Sequence, residues 1–534
     1  MISTIEILVL LLGVVAAVQV LATRLEIPAA TLLVLTGVVL ALIPGLPTVE
    51  LAPQAVLLLV LPPVVYYSAF SMSWREFRLN LRPISLLAVG CVIFTTAGVA
   101  AAAHWLLGLS WPLGFLLGAI VSPPDTMAPL SIARRLEIPK RILVILEGEG
   151  LANDATALIL YRFAVGAVSA GVFSLGDAAG LFAAMVVGEI IWGIGVGWLM
   201  LRLRRWASDP RVEITLSILT PGLAYWVPDY LGGSGVLATV TAGLYVSWNG
   251  LRLISAATRL QGIFFWGFFI YIIEGMVFLI TGLQARTIIA RIADHTIGEL
   301  VISAAVVSAV VILARFVWMY LEPYLTRLLF PPVRRRDPWP PWEWLFAQAF
   351  TGVRGIVSLA AALAIPLTTA NGEPFPGRDL ILFLTFSVIL VTLVGQGLLL
   401  PAVIRALGLA HAGLLERRIR TIEEHMARRE GIVAAIKRLD ELASECNLVE
   451  EVIQSLRTFN EDRLEHAEHR SDGHEGHRKH AELRDEIELL LIGAERQRIN
   501  EIFRSGRLSD EARRRIEREL DLREAHLTGQ RTES

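Results

Sequence analysis

Leu146-Glu147-Gly148-Glu149-Gly150-Leu151-Ala152-Asn153-Asp154 lies inside the apolar segment Ile142 to Ala167, and it places three carboxyl groups and an amide where lipid-facing helices carry none. Each charge in mid-bilayer costs several kcal/mol or more, so such a cluster implies a purpose. On a helix, Glu147, Gly150 and Asp154 share one face at steps of three and four, while Glu149 and Asn153 stack on the adjoining stripe. The result is one polar seam. Gly150, a turn before Asp154, omits a side chain, so that backbone, water or a small ion can approach the carboxylate. A lone buried acid is as readily a tie between helices, but a cluster of this density points to an ion pathway or proton relay.

The surrounding composition fits. The 534 residues are 54% hydrophobic and 18% charged, with a mean hydropathy of +0.58, which is a membrane protein rather than a soluble globule. Apolar runs long enough to cross a bilayer predict about thirteen spans, near residues 3–23, 27–45, 51–71, 83–107, 111–132, 142–167, 178–201, 213–228, 233–248, 262–284, 298–321, 345–366 and 379–404. The first carries Glu6 and no basic residue before Arg24, so it is read as a retained span rather than a signal peptide. Basic clusters such as Arg134, Arg135, Lys140 and Arg141 occupy alternate gaps, whereas the others hold only Arg286, Arg291 and Arg378. The positive-inside rule therefore puts the N-terminus outside and the tail in the cytoplasm, which requires an odd number of spans. Cys91 and Cys446, in different environments, imply no disulfide.

Two spans are interrupted. Ser122-Pro123-Pro124-Asp125-Thr126-Met127-Ala128-Pro129 sets three prolines in the fifth, which cannot stay helical. The carbonyls freed there are potential cation ligands, with Asp125 supplying charge. The twelfth carries Thr351-Gly352-Val353-Arg354-Gly355-Ile356-Val357-Ser358, small residues around one charge. Interrupted spans at corresponding places in two halves point to an inverted-repeat transporter with a midplane site. In the third span Pro62-Pro63 precedes Tyr66-Tyr67-Ser68, which predicts a kink with hydroxyls at depth. Four more charges, Glu149, Arg354, Glu274 and Arg315, are read as structural ion pairs holding helices in register, with Arg354 assigned to Glu149 and the partners of Glu274 and Arg315 open. Glycines of the seventh to ninth spans are read as packing sites.

Beyond Pro401 the chain becomes rich in Arg and Glu, dividing it into residues 1–410 and a cytoplasmic helical domain, 411–534. Apolar spacing in Ile432, Val433, Ile436, Leu439 and Leu442, and again in Leu483, Ile487, Leu490 and Leu491, predicts helices, with a last one capped by Ser509 ahead of Asp510 and Glu511. His466, His469, His474, His477 and His480 lack the spacing of a zinc site and are read as a solvated linker.

These motifs resemble the bacterial sodium/proton exchangers of the monovalent cation:proton antiporter-1 family. The likeness covers about residues 1–410 and is sharpest in Leu146 to Asp154, in Pro124-Asp125, in Gly352-Val353-Arg354-Gly355, and in Glu274 followed by Phe278 and Gly282. It implies an all-α polytopic fold with thirteen transmembrane helices, in which the broken fifth and twelfth cross, and a dimerisation domain beside a moving core. It further implies a multi-pass homodimer in the bacterial inner membrane that exchanges a monovalent cation, sodium first and potassium or lithium next, for a proton by alternating access, with roles in ion transport and pH homeostasis. Asp154 is then the residue that binds cation or proton in turn, with Asn153, Asp125, Pro124 and Gly150 around it. A second aspartate replaces Asn153 in electrogenic relatives, so the amide implies electroneutral exchange. No cofactor, structural metal or nucleic-acid partner is implied.

The chain departs from the family in three places. The common serine four residues before the aspartate is Gly150, the threonine before Asp125 is Pro124, and a glutamate after the double proline is Tyr67, which together predict a weaker or less selective ion site. Two other functions were weighed. An intramembrane aspartyl protease would use Asp125 and Asp154 as a dyad, yet the Gly-x-Gly-Asp motif is missing around both, as are His-Glu-x-x-His and a phosphate loop. A cation channel would keep the polar seam and is distinguished by flux.

Overall fold

The computed structural model describes all residues except 1–3, 26, 45–52, 171–174, 208, 251–252, 293–295, 330–336, 338, 370–371, 446–449, 472–474, 506–512, 514–515, 518 and 526–534. Met1–Leu414 and Leu415–Ser534 form two compact units. The first is helical wherever the sequence is apolar: α1 (Thr4–Leu25), α2 (Ala29–Ala41), α3 (Pro53–Ser71), α4 (Leu81–Leu107), the broken pair α5a (Trp111–Val121) and α5b (Met127–Arg135), α6 (Lys140–Ala170), α7 (Leu175–Arg204), α8 (Pro210–Tyr230), α9 (Val236–Gly250), α10 (Ala256–Leu283), α11 (Ile297–Leu329), the broken pair α12a (Trp342–Phe350) and α12b (Ile356–Leu363), and α13 (Arg378–Ala406). Among the described residues seven helices are long and apolar enough to cross a membrane. The two interrupted pairs are split by their own prolines and glycines, which is why neither reaches spanning length as one helix. The thirteen-span count therefore stays an expectation, while the all-helical, apolar architecture is plain.

Prolines and glycines shape the helices locally. A wide π-turn, Val56–Val60, precedes Pro62 and Pro63, which sit in the first turn of the α-helical remainder of α3, where a missing amide hydrogen does least harm. Glycines set the closest crossings: Gly37 of α2 meets the backbone of Gly282 in α10, and Gly193 of α7 meets Ala238 of α9. A Cβ at either would run into backbone that cannot give. Gly188 and Gly195 face open space, so packing does not explain those two.

Two apolar cores divide this unit. One gathers α3, α4, α5a, α6, α9, α11 and α13 around Leu116, Leu117, Leu151 and Val240; the other gathers α1, α2, α10 and α12b around Leu33, Val34, Leu279 and Leu359. At one end of the helices Asp337, just before α12a, accepts from Arg82 of α4 (2.7 Å), Arg141 of α6 (2.9 Å) and Arg327 of α11 (2.9 Å), joining three helices to the link that leads into the second break.

The second unit includes most of α14 (Leu409–Glu445), then α15 (Glu450–Ser471) and α16 (Glu475–Arg504). Arg457 of α15 pairs with Asp440 of α14, and Ile492 packs with Leu520 in a small core. The predicted apolar faces are only partly buried: Ile432 is covered, whereas Val433, Ile487, Leu490 and Leu491 are exposed. The histidine-rich stretch is no extended linker, because α15 and α16 continue into it from both sides. Charged residues at this density remain good helix formers. His474, Ser509, Asp510, Glu511 and Cys446 lie outside the described residues.

Candidate functional site

The two breaks meet. Between α5a and α5b the chain unwinds over residues 122–126, and between α12a and α12b over residues 351–355. Asp125 N donates to Val353 O at 2.7 Å, a backbone bond linking the two unwound segments. Carbonyls freed by unwinding would be costly if unpaired in an apolar setting, and one side chain takes up three at the two breaks. Arg354 donates to Val121 O (2.9 Å), Ser122 O (3.2 Å) and Gly352 O, while its own backbone N–H donates to Thr392 Oγ1 of α13 (2.9 Å).

This overturns the pairing of Arg354 with Glu149. Glu149, fully buried, is held instead by Arg315 of α11, whose NH1 and NH2 donate to its two oxygens at 2.5 and 3.0 Å. Arg315 also donates to Gln348 O of α12a. A guanidinium carries five donors and no acceptor. Arg354 directs its donors to carbonyls of both breaks, and the arginine of α11 is left for the acid.

Asn153 Nδ2 donates to Pro124 O at 2.8 Å, bracing α6 against the first break, and its buried Oδ1 has no protein partner. Asp125 Oδ1 accepts from Met127 N (3.0 Å) at the start of α5b. Gly355 of the second break lies against that carboxyl group: a Cβ there would overlap the Asp125 side chain.

Asp154, Asp125, Pro124 and Gly150 line one cavity of about 280 Å³, together with Glu274 of α10 and Tyr67, Ser68 and Ser71 of α3. It opens between the two cores, with Leu151 on one wall and Val277 on the other. Glu274 makes no ion pair among the described residues, which corrects its reading as a register pin; it faces the cavity instead. Asn153 and Glu149 do not line the cavity, so the predicted seam is split into a face that meets the opening and a face that holds the helices. The room beside Gly150 is filled by the Thr126 side chain, not by open space, and Thr126 adds a hydroxyl to the wall. Among the described residues no three His, Cys, Asp or Glu side chains are grouped to hold a metal ion.

Three contributors escaped the sequence reading. Thr126 is hidden by its more conspicuous neighbour Asp125. Arg134 of α5b, counted as a topology marker, donates to Glu147 Oε1 at 2.8 Å, and both line the cavity. Glu189 of α7 is buried and accepts from Ser234 N (2.6 Å), Ser234 Oγ (3.1 Å) and Leu237 N (3.1 Å), satisfying the first amides of α9. Nothing in its local pattern announces this.

The chain is similar to known proteins. A family model described as "Sodium/hydrogen exchanger, transmembrane" matches residues 7–406. An uncharacterised sodium/proton exchanger of Mycobacterium tuberculosis is 34% identical over 533 residues, covering 97% of this chain and 96% of that protein. A "Sodium, potassium, lithium and rubidium/H(+) antiporter" of Bacillus pumilus is 31% identical over 386 residues, 70% of this chain and 57% of that protein. The fold is also that of the sodium proton antiporter MjNhaP1 from Methanocaldococcus jannaschii, with a TM-score of 0.58 at 19% identity over 77% of this chain and 97% of that one.

Proposed function

The chain belongs to the sodium/hydrogen exchanger family, a family of multi-pass cation/proton antiporters rather than enzymes, and we propose that Asp154 is the group that binds cation and proton in turn. The observation that carries this is the cavity reaching Asp154 where the two broken helices cross. A carboxylate in such a place has two ways to neutralise its charge, a proton or a small hard cation, and each excludes the other. If the protein changes the side on which the cavity opens only when Asp154 is neutralised, the two fluxes are tied without any other energy source. Asp125, Glu274, Thr126 and the carbonyl of Pro124 supply the remaining oxygens. By analogy with electrogenic relatives, in which a second aspartate replaces Asn153, the amide argues for one monovalent cation per proton and electroneutral exchange. Sodium is the first substrate to test; the Bacillus relative's name argues for potassium, lithium and rubidium as well. The protein works as a homodimer in the bacterial inner membrane, N-terminus outside and tail in the cytoplasm.

The test is proton flux in proteoliposomes holding a pH dye, with an imposed pH gradient, each cation added in turn and the voltage clamped. Cation addition collapses the gradient at any clamped voltage, and Asp154→Asn, folded with an unchanged melting temperature, gives no response. Exchange retained by Asp154→Asn excludes Asp154 as the carrier. A voltage-driven cation leak without proton countermovement makes the protein a channel.

A further inference from the structure

The first two-thirds of α14 carry an apolar face that stays exposed among the described residues. Leu415 (50% exposed), Ile419 (60%), Ile422 (58%), Met426 (55%) and Val433 (46%) follow one another at steps of four, three, four and seven, with Arg429 in the one position skipped. Those steps are the a and d positions of a heptad repeat, with Ile419, Met426 and Val433 at a and Leu415, Ile422 and Arg429 at d. The stripe is narrow. Charges border it closely, with Arg418 on one flank and Glu423 and Glu430 on the other, whereas a helix packed into a globular core carries a broader apolar face. Farther round, Arg428 donates to Glu424 at 2.5 Å, so the opposite side carries its own ion pair and faces water.

We propose that this stripe is the seam of a parallel two-stranded coiled coil between α14 and the same helix of a second copy of the chain. The flanking charges decide the partner. In a parallel pair in register, the g position of one helix faces the following e position of the other. Arg418 occupies g and Glu423 the next e, so the sequence is complementary to itself, and symmetry makes the contact twice. The acids argue against the alternative occupant, a bilayer surface, because Glu423 and Glu430 would be pressed against anionic headgroups, whereas interfacial helices carry Lys and Arg along that border. Two copies inserted the same way in one bilayer emerge on the same side, which fixes the parallel sense. Fewer than three heptads are weak alone, but copies held together by their membrane parts meet at high effective concentration. Arg429 interrupts the seam once; its aliphatic stem can lie along it with the head in water.

The test uses the full chain in native membranes with Cys446→Ser, the buried Cys91 kept, and one cysteine added in turn at Ile422→Cys and Met426→Cys on the seam and Ala427→Cys off it. Mild oxidation is expected to link the two seam variants into a species of twice the mass, and to leave Ala427→Cys monomeric on a denaturing gel. Arg418→Glu lowers the Ile422→Cys yield at least several-fold, as does Glu423→Arg, and the two together restore it. Equal linking at Ala427→Cys, or none at the seam, overturns the proposal. So does quenching of a fluorophore on Ile422→Cys by brominated lipids, which would place the stripe on the bilayer. Cation/proton exchange by the linked variants is read separately, so failure of the coiled coil and failure of the Asp154 mechanism are distinguishable.

Discussion

Glu149 and Arg315 are a buried ion pair, and Glu149 depends on Arg315 to offset its charge. Removing one partner strands the other charge, which costs about 3–5 kcal/mol. Arg315→Ala is therefore expected to lower the melting temperature sharply, and Glu149→Gln with Arg315→Met to recover much of the loss; thermal unfolding in detergent reads both. Arg354 belongs to a different economy, since its guanidinium satisfies carbonyls and no acid. Gly355 sets the tightest constraint: any side chain there displaces the Asp125 carboxyl group. A shift of about 1 Å in a binding group can cost about 100-fold in rate, so Gly355→Ala is expected to reduce exchange by about that factor while the protein still folds; near wild-type flux would refute the role given to this contact. Sequence alone reads Glu149, Arg315, Arg354 and Glu274 as members of ion pairs and gives Arg354 to Glu149, but in the structure Glu149 pairs with Arg315, Arg354 serves carbonyls and Glu274 faces the cavity. It could not pair them, because spacing along a helix says nothing about which neighbouring helix turns toward it, and because the carbonyls competing for Arg354 exist only once the breaks have formed.

Among the helices, the interruptions were the most legible features, since Pro123, Pro124 and Pro129 and the glycines beside Arg354 forbid continuity by local chemistry alone. What holds the broken elements in place was not legible. Asp337 sits in a polar link that a hydropathy scan discards, yet it fastens α4, α6 and α11 to the approach to α12a. Its partial burial works against ionisation, but hydrogen bonding from Arg141 and the charges of Arg141, Arg327 and Arg82 outweigh that and hold its pKa below the usual carboxylate range. A depressed folded pKa contributes stability above the unfolded value, about 3.9, that is lost as pH falls through the folded one. Asp337→Asn should therefore cost about 1–3 kcal/mol at neutral pH, and the gap between variant and wild type should narrow as the pH drops below about 4. A gap unchanged across that range would show that the carboxylate charge is immaterial to the clamp.

In the molecule as a whole, all of the candidate ion-binding residues fall in Met1–Leu414, and none in Leu415–Ser534. Truncation after Leu414 is expected to leave cation/proton exchange in proteoliposomes and, if the tail tunes the response, to move its pH dependence; an identical pH profile would remove the tail from regulation, and complete loss of exchange in a folded truncation would make it part of the transport machinery. The tail was the least readable part of the sequence. Its helices follow from composition, but an apolar stripe looks the same whether its own chain or another copy will cover it.

Thr126 fills the space that Gly150 leaves. The hydroxyl that the resemblance places on the helix bearing Asp154 is here supplied by the first break, which packs against that helix, so the cavity keeps a group that a position-by-position comparison would score as missing. A side chain at 150 would meet the Thr126 side chain, which must then turn away or be replaced. The two positions are therefore coupled in this chain: the effect of Gly150→Ser on the cavity depends on which residue stands at 126, and the two changes together are not the sum of each alone.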